Sequence, residues 1–231
     1  MLSVPRHEMI FFDIDGTLVD HKEAERVAAL AFQRAYREVF PESPEDFATR
    51  WHLVAEKHLR RHLAGEISFQ AQRRARLREL FSHHSALTDE EADAVFGEYL
   101  KRYEESWRLF ADVGPCLAEL NGHKLGIISN GDSKQQRQKI EMLGIAGRFS
   151  TVVISGDVGS SKPAVEIFLT ACRTAQVDPD QCYYVGDDVE SDVYGSRNAG
   201  LHAIWLNRDA GVGPPDIPTI STLAELKRKI A

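Results

Sequence analysis

The stretch MIFFDIDGTLVD, residues 9–20, runs from four apolar residues straight into two carboxylates, Asp13 and Asp15. Residues two apart on an extended strand point to the same face, so two like charges stand side by side where a buried strand ends. Other short apolar runs also end on groups that do chemistry. KLGIISN (124–130) delivers Ser129 and Asn130, STVVIS (150–155) delivers Ser155, and CYYVGDD (182–188) delivers Gly186, Asp187 and Asp188, with Asp192 four residues on. SSKPAVEIF adds Lys162. Acids are ligands for a hard cation, while hydroxyls and an ammonium suit phosphoryl oxygens, so the set is suited to holding Mg²⁺ and a phosphoryl group together.

Such groups meet only if the strands lie side by side and parallel, because side chains of an open parallel sheet gather beyond its carboxyl ends. The chain supports this. Strands are expected at residues 8–13, 124–130, 150–155, 182–188 and 202–207, rich in Ile, Val and Tyr. Helical stretches at SKQQRQKIEMLG, PAVEIFLTACRTAQ and ESDVYGSRNAG alternate with them, two closing on Gly144 and Gly200, and Pro163 suits the first turn of its helix. Alternating strands and helices indicate an α/β fold whose parallel sheet is covered on both faces. GVGPPDIP (211–218) reads as a loop before a short last helix.

Residues 21–106 have another texture. Four helical runs follow one another: 21–40, with Val27, Leu30 and Ala31 on one face; 46–65; 68–84; and 88–107, where Thr88 and Glu91 form a capping box. No strand-like run separates them, so this block is a helical insertion after the first strand. The division expected is 1–19 with 107–231 as the core and 20–106 as the inserted domain.

Composition narrows the setting. Of 231 residues 43% are hydrophobic, enough for a core, and no apolar run approaches a membrane span. Residues 1–8 lack the apolar stretch of a secretory signal, so a cytoplasmic location is expected. Twenty-eight Lys and Arg against 35 Asp and Glu give a net charge of −7, which weighs against a nucleic-acid surface. Cys116, Cys172 and Cys182 share no CxxC spacing and read as buried reduced thiols.

Taken in order, DIDGT, ISN, SKP and GDDVESD resemble the four motifs of the haloacid dehalogenase-like superfamily, in its phosphatase branch. The resemblance implies a Rossmann-like core with an inserted α-helical cap, and a phosphatase acting on a small phosphorylated metabolite with Mg²⁺. It implies Asp13 as nucleophile, Asp15 as general acid and base, and Lys162 offsetting charge. The phosphoryl oxygens would be held by Ser129 and by the amides of Asn130 and Gly131, with the Thr17 hydroxyl near the loop. The metal would take Asp13, the Asp15 carbonyl and Asp187, with Asp188 the competing ligand and Asp188 and Asp192 otherwise fixing waters or Lys162. A phosphosugar mutase shares these motifs, and a phosphate-binding module without turnover is a reading of another class. Asp15 weighs against a haloalkanoate dehalogenase, a branch lacking that second acid. In the insertion, His58 and His62, and the cluster Arg73, Arg74, Arg76 and Arg78, read as solvated helix faces, and His21 as a hinge or surface residue.

Overall fold

The computed structural model describes residues 9–82, 84 and 86–230; the leading segment, with residue 8 of the expected first strand, lies outside the described residues. Two compact units divide the chain, one comprising the chain up to Asp20 and from Arg108 onward, the other His21–Trp107.

In the first unit, strands β1 (Met9–Phe12), β2 (Lys124–Ser129), β3 (Thr151–Ile154), β4 (Cys182–Gly186), β5 (His202–Leu206) and β6 (Thr219–Ile220) form one sheet in the order β3-β2-β1-β4-β5-β6. Every pairing is parallel. β1 is buried at all four positions because both faces are covered. Ile10 and Phe12 pack into one cluster with Ile127, Val185 and Ile204, while Met9 and Phe11 pack into another with Ile128, Phe168 and Tyr184. Helices α5 (Val113–Glu119) and α6 (Ser133–Met142) contribute Val113, Leu117 and Ile140 to the first cluster. Helix α8 (Val165–Ala175), after the single turn α7 (Ser155–Val158), contributes Ile167 and Ala171 to the second. A π-helical turn at Val189–Tyr194 leads into α9 (Gly195–Asn198), and α10 (Leu226–Lys229) ends the described chain.

One expectation needs correction here, and two elements were missed. α5 and the two-residue β6 were not anticipated: α5 carries Gly114 and Pro115, yet both fall in its first turn, where backbone N–H groups have no intrahelical partner to lose. The helix after Lys162 starts at Val165, so Pro163 lies in the preceding turn and not at the helix start. All three cysteines are buried free thiols.

The second unit consists of α1 (His21–Ala35), α2 (Pro44–Leu63), α3 (Phe69–Leu80) and α4 (Asp89–Glu105). Ser43 caps α2 through the Asp46 N–H, and the expected Thr88–Glu91 capping box begins α4. Its core is aromatic: Phe32, Phe40, Phe47, Trp51, Phe96 and Tyr99 pack together, with Trp51 and Tyr99 ring centres 4.2 Å apart. Phe32 also overturns the expected face of α1. Burying that ring brings Ala24, Ala28 and Ala29 inward with it and leaves Val27 exposed. Among the described residues no helix is long and apolar enough to cross a membrane.

The register sets Phe11 beside Gly126, and a Cβ added at Gly126 would stand 2.5 Å from the Phe11 ring. Gly126→Ala is therefore expected to destabilise the first unit by about 2 kcal/mol, the range of overpacked cores. A urea midpoint equal to that of the wild type would show that the ring moves aside at no cost.

Candidate active site

The strand order changes direction at β1, which lies between β2 and β4, and in an open α/β sheet functional side chains gather beyond the carboxyl ends at such a switch point. Asp13 continues β1, donating its N–H to the Val185 carbonyl at 3.0 Å. Ser129 ends β2 and Asp187 follows β4 directly, so three of the expected motifs arrive from neighbouring strands.

Lys162 joins them. Its ammonium donates to Asp13 Oδ1 at 2.6 Å, to Asp192 Oδ1 at 2.6 Å and to the Tyr184 hydroxyl at 2.9 Å, and both of its acid partners are buried with it. Asn130 fixes the Lys162 backbone from both sides, accepting its N–H at 2.8 Å and donating to its carbonyl at 3.0 Å. Burial alone would push the ammonium down, but Asp13 and Asp192 outweigh it and hold Lys162 above its ordinary value.

The carboxylates show the opposite imbalance. Burial pushes Asp13 up to about 8 against the pull of Lys162, with Asp192 and Asp187 adding to the rise. Burial, then Asp192, likewise pushes Asp187 up to about 7. Three carboxylates share one ammonium, so the burial that raises Asp13 and Asp187 is offset only in part by Lys162.

Packing allows this crowding. Gly16 has φ +90°, and a Cβ there would run into the Asp187 carboxylate; a Cβ at Gly186 would run into that of Asp192. The Thr17 hydroxyl, fully buried, donates to Asp187 Oδ1 at 3.1 Å, and the Trp205 indole N–H donates to the Asp187 carbonyl at 2.8 Å.

A cation fits this donor set. Asp13, Asp187 and Asp192 each offer a carboxylate oxygen, all within 4.8 Å of one another. Asp192 is the least available of the three. Its Oδ1 meets Lys162 and Tyr184, and its Oδ2 accepts the Asp188 N–H at 3.1 Å. Asp13 and Asp187 are therefore the more available pair, and a dication of oxygen preference would offset the crowding of the three acids.

Asp15 stands beside this cluster with its side chain 28% exposed. Lys139 Nζ lies 2.5 Å from its Oδ1, and Gln136 Nε2 donates to its Oδ2 at 2.8 Å. The Ser129 hydroxyl is 3.0 Å from the same Gln136 nitrogen.

Several expected roles change. Thr17 is fully buried and gives its hydroxyl to Asp187. Asp188 accepts from the Ser191 N–H at 2.6 Å and from its hydroxyl at 2.9 Å, so it caps the following turn instead of holding Lys162. The Gly131 N–H is engaged by Ser155 Oγ at 2.9 Å, away from the phosphoryl role expected of it. In the helical unit, His58 is buried against Glu79 at 2.8 Å, not solvated, while His62 turns to the Ile67 carbonyl at 3.1 Å; the two share no site. Arg74 pairs with Asp93 and Asp89, Arg78 with Asp89, and Arg73 lies over the Phe69 and Phe96 rings. Arg76 departs from a solvated face, with its Nε buried and unpartnered.

Tyr184, Gln136 and Lys139 were not anticipated. A signal existed for Lys139: it sits next to Ile140 and three residues after Gln136, on the face that α6 buries.

Comparison with known proteins agrees with this geometry. The chain is 29% identical over 219 residues to N-acylneuraminate-9-phosphatase from Rattus norvegicus, covering 91% of this chain and 87% of that protein. It is 38% identical over 127 residues to phosphoserine phosphatase from Thermus thermophilus, covering 54% and 48%. The solved structure of YfnB from Bacillus subtilis, a putative HAD-hydrolase bound to magnesium, has the same fold, with a TM-score of 0.81 at 23% identity and coverage of 97% and 99%. A model of the haloacid dehalogenase-like hydrolases matches residues 7–200, and the chain therefore belongs to that family of hydrolases.

Proposed function

We propose that this hydrolase is a Mg²⁺-dependent phosphatase of a small phosphorylated metabolite, working through a phosphoaspartate on Asp13 in a core that carries a helical cap. The observation that carries the reading is the posture of Asp13. Lys162 holds its Oδ1, while Oδ2 accepts no hydrogen bond among the described residues, so one oxygen is fixed and the other is left to attack. Relatives named for the hydrolysis of two different phosphate esters support it.

In the first half-reaction Asp13 Oδ2 forms a bond to phosphorus as the ester bond breaks, and Asp15 gives its proton to the departing oxygen. In the second, Asp15 takes a proton from water as that water bonds to phosphorus, and the Asp13 carboxylate is released with inorganic phosphate. The Ser129 hydroxyl and the Asn130 amide hold phosphoryl oxygens, while Lys162 offsets the charge that nucleophile and phosphate bring together. Asp192 and Tyr184 keep the Lys162 ammonium in place. The metal would be held by Asp13, the Asp15 carbonyl and Asp187, and when bound it supplies positive charge against the phosphoryl oxygens and the attacking carboxylate. We take the cytoplasm as the setting, where buried free thiols persist.

The defining test is a panel of phosphate monoesters incubated with Mg²⁺. Release of inorganic phosphate from one chemical group of esters is expected; interconversion of glucose 1-phosphate without release would indicate a mutase, and phosphate binding without turnover a binding module. Chelation with EDTA should abolish turnover and Mg²⁺ restore it, with Ca²⁺ a poor substitute because its larger shell misplaces the reacting oxygens. Full activity in chelator would remove the metal from the reaction.

Asp13→Asn should lower kcat at least a thousandfold, since an amide is a poor nucleophile, while the metal-free protein melts no lower than wild type because one crowded charge is gone. Mg²⁺ should raise the melting temperature of the wild type and do so less for this variant. Activity within tenfold of wild type would take the nucleophile away from Asp13.

A further inference from the structure

α6 follows the loop that carries Ser129 and Asn130, and its buried face includes a lysine. Lys139 is only 1% exposed, and its ammonium reaches Asp15 Oδ1 at 2.5 Å. Gln136, 3% exposed, lies one turn earlier on the same helix face and donates through Nε2 to Asp15 Oδ2 at 2.8 Å. Burying an ammonium is costly unless a carboxylate meets it, and here the carboxylate met is one from the loop after β1. The Gln136 amide has a defined orientation as well. Its nitrogen also lies 3.0 Å from Ser129 Oγ and 3.1 Å from the Asn130 carbonyl, whereas its Oε1 is buried without a partner. Turning the amide over would aim an oxygen at three acceptors.

We infer that Gln136 and Lys139 are positioning residues that grip both oxygens of the Asp15 carboxylate and register it against the Ser129 hydroxyl. This rests on the reading of Asp15 as the group that moves protons. Proton transfer requires hydrogen-bond distance to the reacting oxygen, so a carboxylate that moves protons gains from a held rotamer. Asp15 serves twice, first giving a proton to the leaving oxygen and then taking one from water, so one fixed posture serves both half-reactions. Gln136 adds a second constraint. By touching Ser129 and Asp15 with a single nitrogen, it ties the spacing of phosphoryl holder and proton carrier to one helix, so the two move together or not at all. Small displacements of such a group slow a reaction out of proportion to their size.

The test uses the full chain, Mg²⁺ and a series of aryl phosphates from p-nitrophenyl to phenyl phosphate, whose leaving groups need a proton to increasing degrees. Three variants, Lys139→Met, Gln136→Leu and Lys139→Arg, are compared with Asp15→Asn and wild type. Lys139→Met is expected to lose about tenfold more kcat on phenyl than on p-nitrophenyl phosphate, with KM changed less than threefold. Gln136→Leu should move in the same direction, and it carries the test if Lys139→Met does not fold. Lys139→Arg, which keeps the charge and the donors, should recover most of the loss. If Asp15→Asn steepens the dependence on leaving group but the Lys139 and Gln136 variants lose rate uniformly across the series, the positioning role is wrong and both are ordinary packing residues. If Asp15→Asn itself leaves the dependence unchanged, Asp15 is not the proton carrier, and the inference falls with that reading.

Discussion

Three carboxylates around one buried ammonium is the constraint on which the rest of this site depends. Asp13, Asp187 and Asp192 come from two strand ends and the turn beyond one of them, and among the described residues Lys162 is the cation that meets two of the three. Its bonds to Asp13 and Asp192 are short and buried, where water cannot screen them. Yet burial, with the neighbouring acids adding to it, pushes Asp13 and Asp187 up. A protein domain gains no stability from such crowding, since replacing buried charges by apolar groups is often neutral or favourable. Under the proposed function the arrangement exchanges stability for affinity toward a cation and a phosphoryl group, as perturbed groups gathered at functional sites commonly do.

Keeping such a cluster in register falls to its neighbours. The glycines at 16 and 186 leave room for carboxylates where any side chain would collide. Thr17 and Trp205 grip Asp187 from two directions, through its carboxylate and its carbonyl. Thr17 is itself held, because Arg208 donates to its carbonyl at 2.9 Å while pairing with Asp112 at 2.9 and 3.0 Å. Asp112 accepts in addition from Thr222 and the Leu223 N–H, and although burial opposes it, these donors hold its carboxyl below the usual range. The loop after β1 is thereby connected through Arg208 to the end of the chain near β6. Residues far apart in sequence thus stabilise one short acidic loop.

The helical unit solves a different problem. Its core is built from rings, and its surface arginines are mostly occupied by acids or laid over aromatic faces. The exceptions are polar atoms left inside: among the described residues Gln72 Oε1 and Arg76 Nε are buried without partners. Unpaired buried groups of this kind carry a cost in stability.

Much of this protein was legible in its sequence. Apolar runs ending on acids located β1 and β4, the alternation of strands and helices indicated a parallel sheet, and Asp13, Asp15, Ser129 and Asp187 stood out because charged or hydroxyl residues at the ends of buried strands have few structural uses, with Lys162 and Asp192 drawn in by the order of the motifs. Periodicity also separated the helical insertion from the core, since a period of 3.6 residues is a local property. Local signals could not show which acid of GDD turns inward, that Thr17 serves Asp187, or that Gly131 gives its amide to Ser155. Nor could they reveal that an apparently ordinary lysine in SKQQRQKIEM is buried against Asp15, 124 residues away in sequence. Those outcomes depend on which strands become neighbours and how deeply each side chain is packed between them. Burial sets the strength of a charge's interactions, and burial is decided by the whole fold, so the tertiary structure alone turned a set of residue types into pairs.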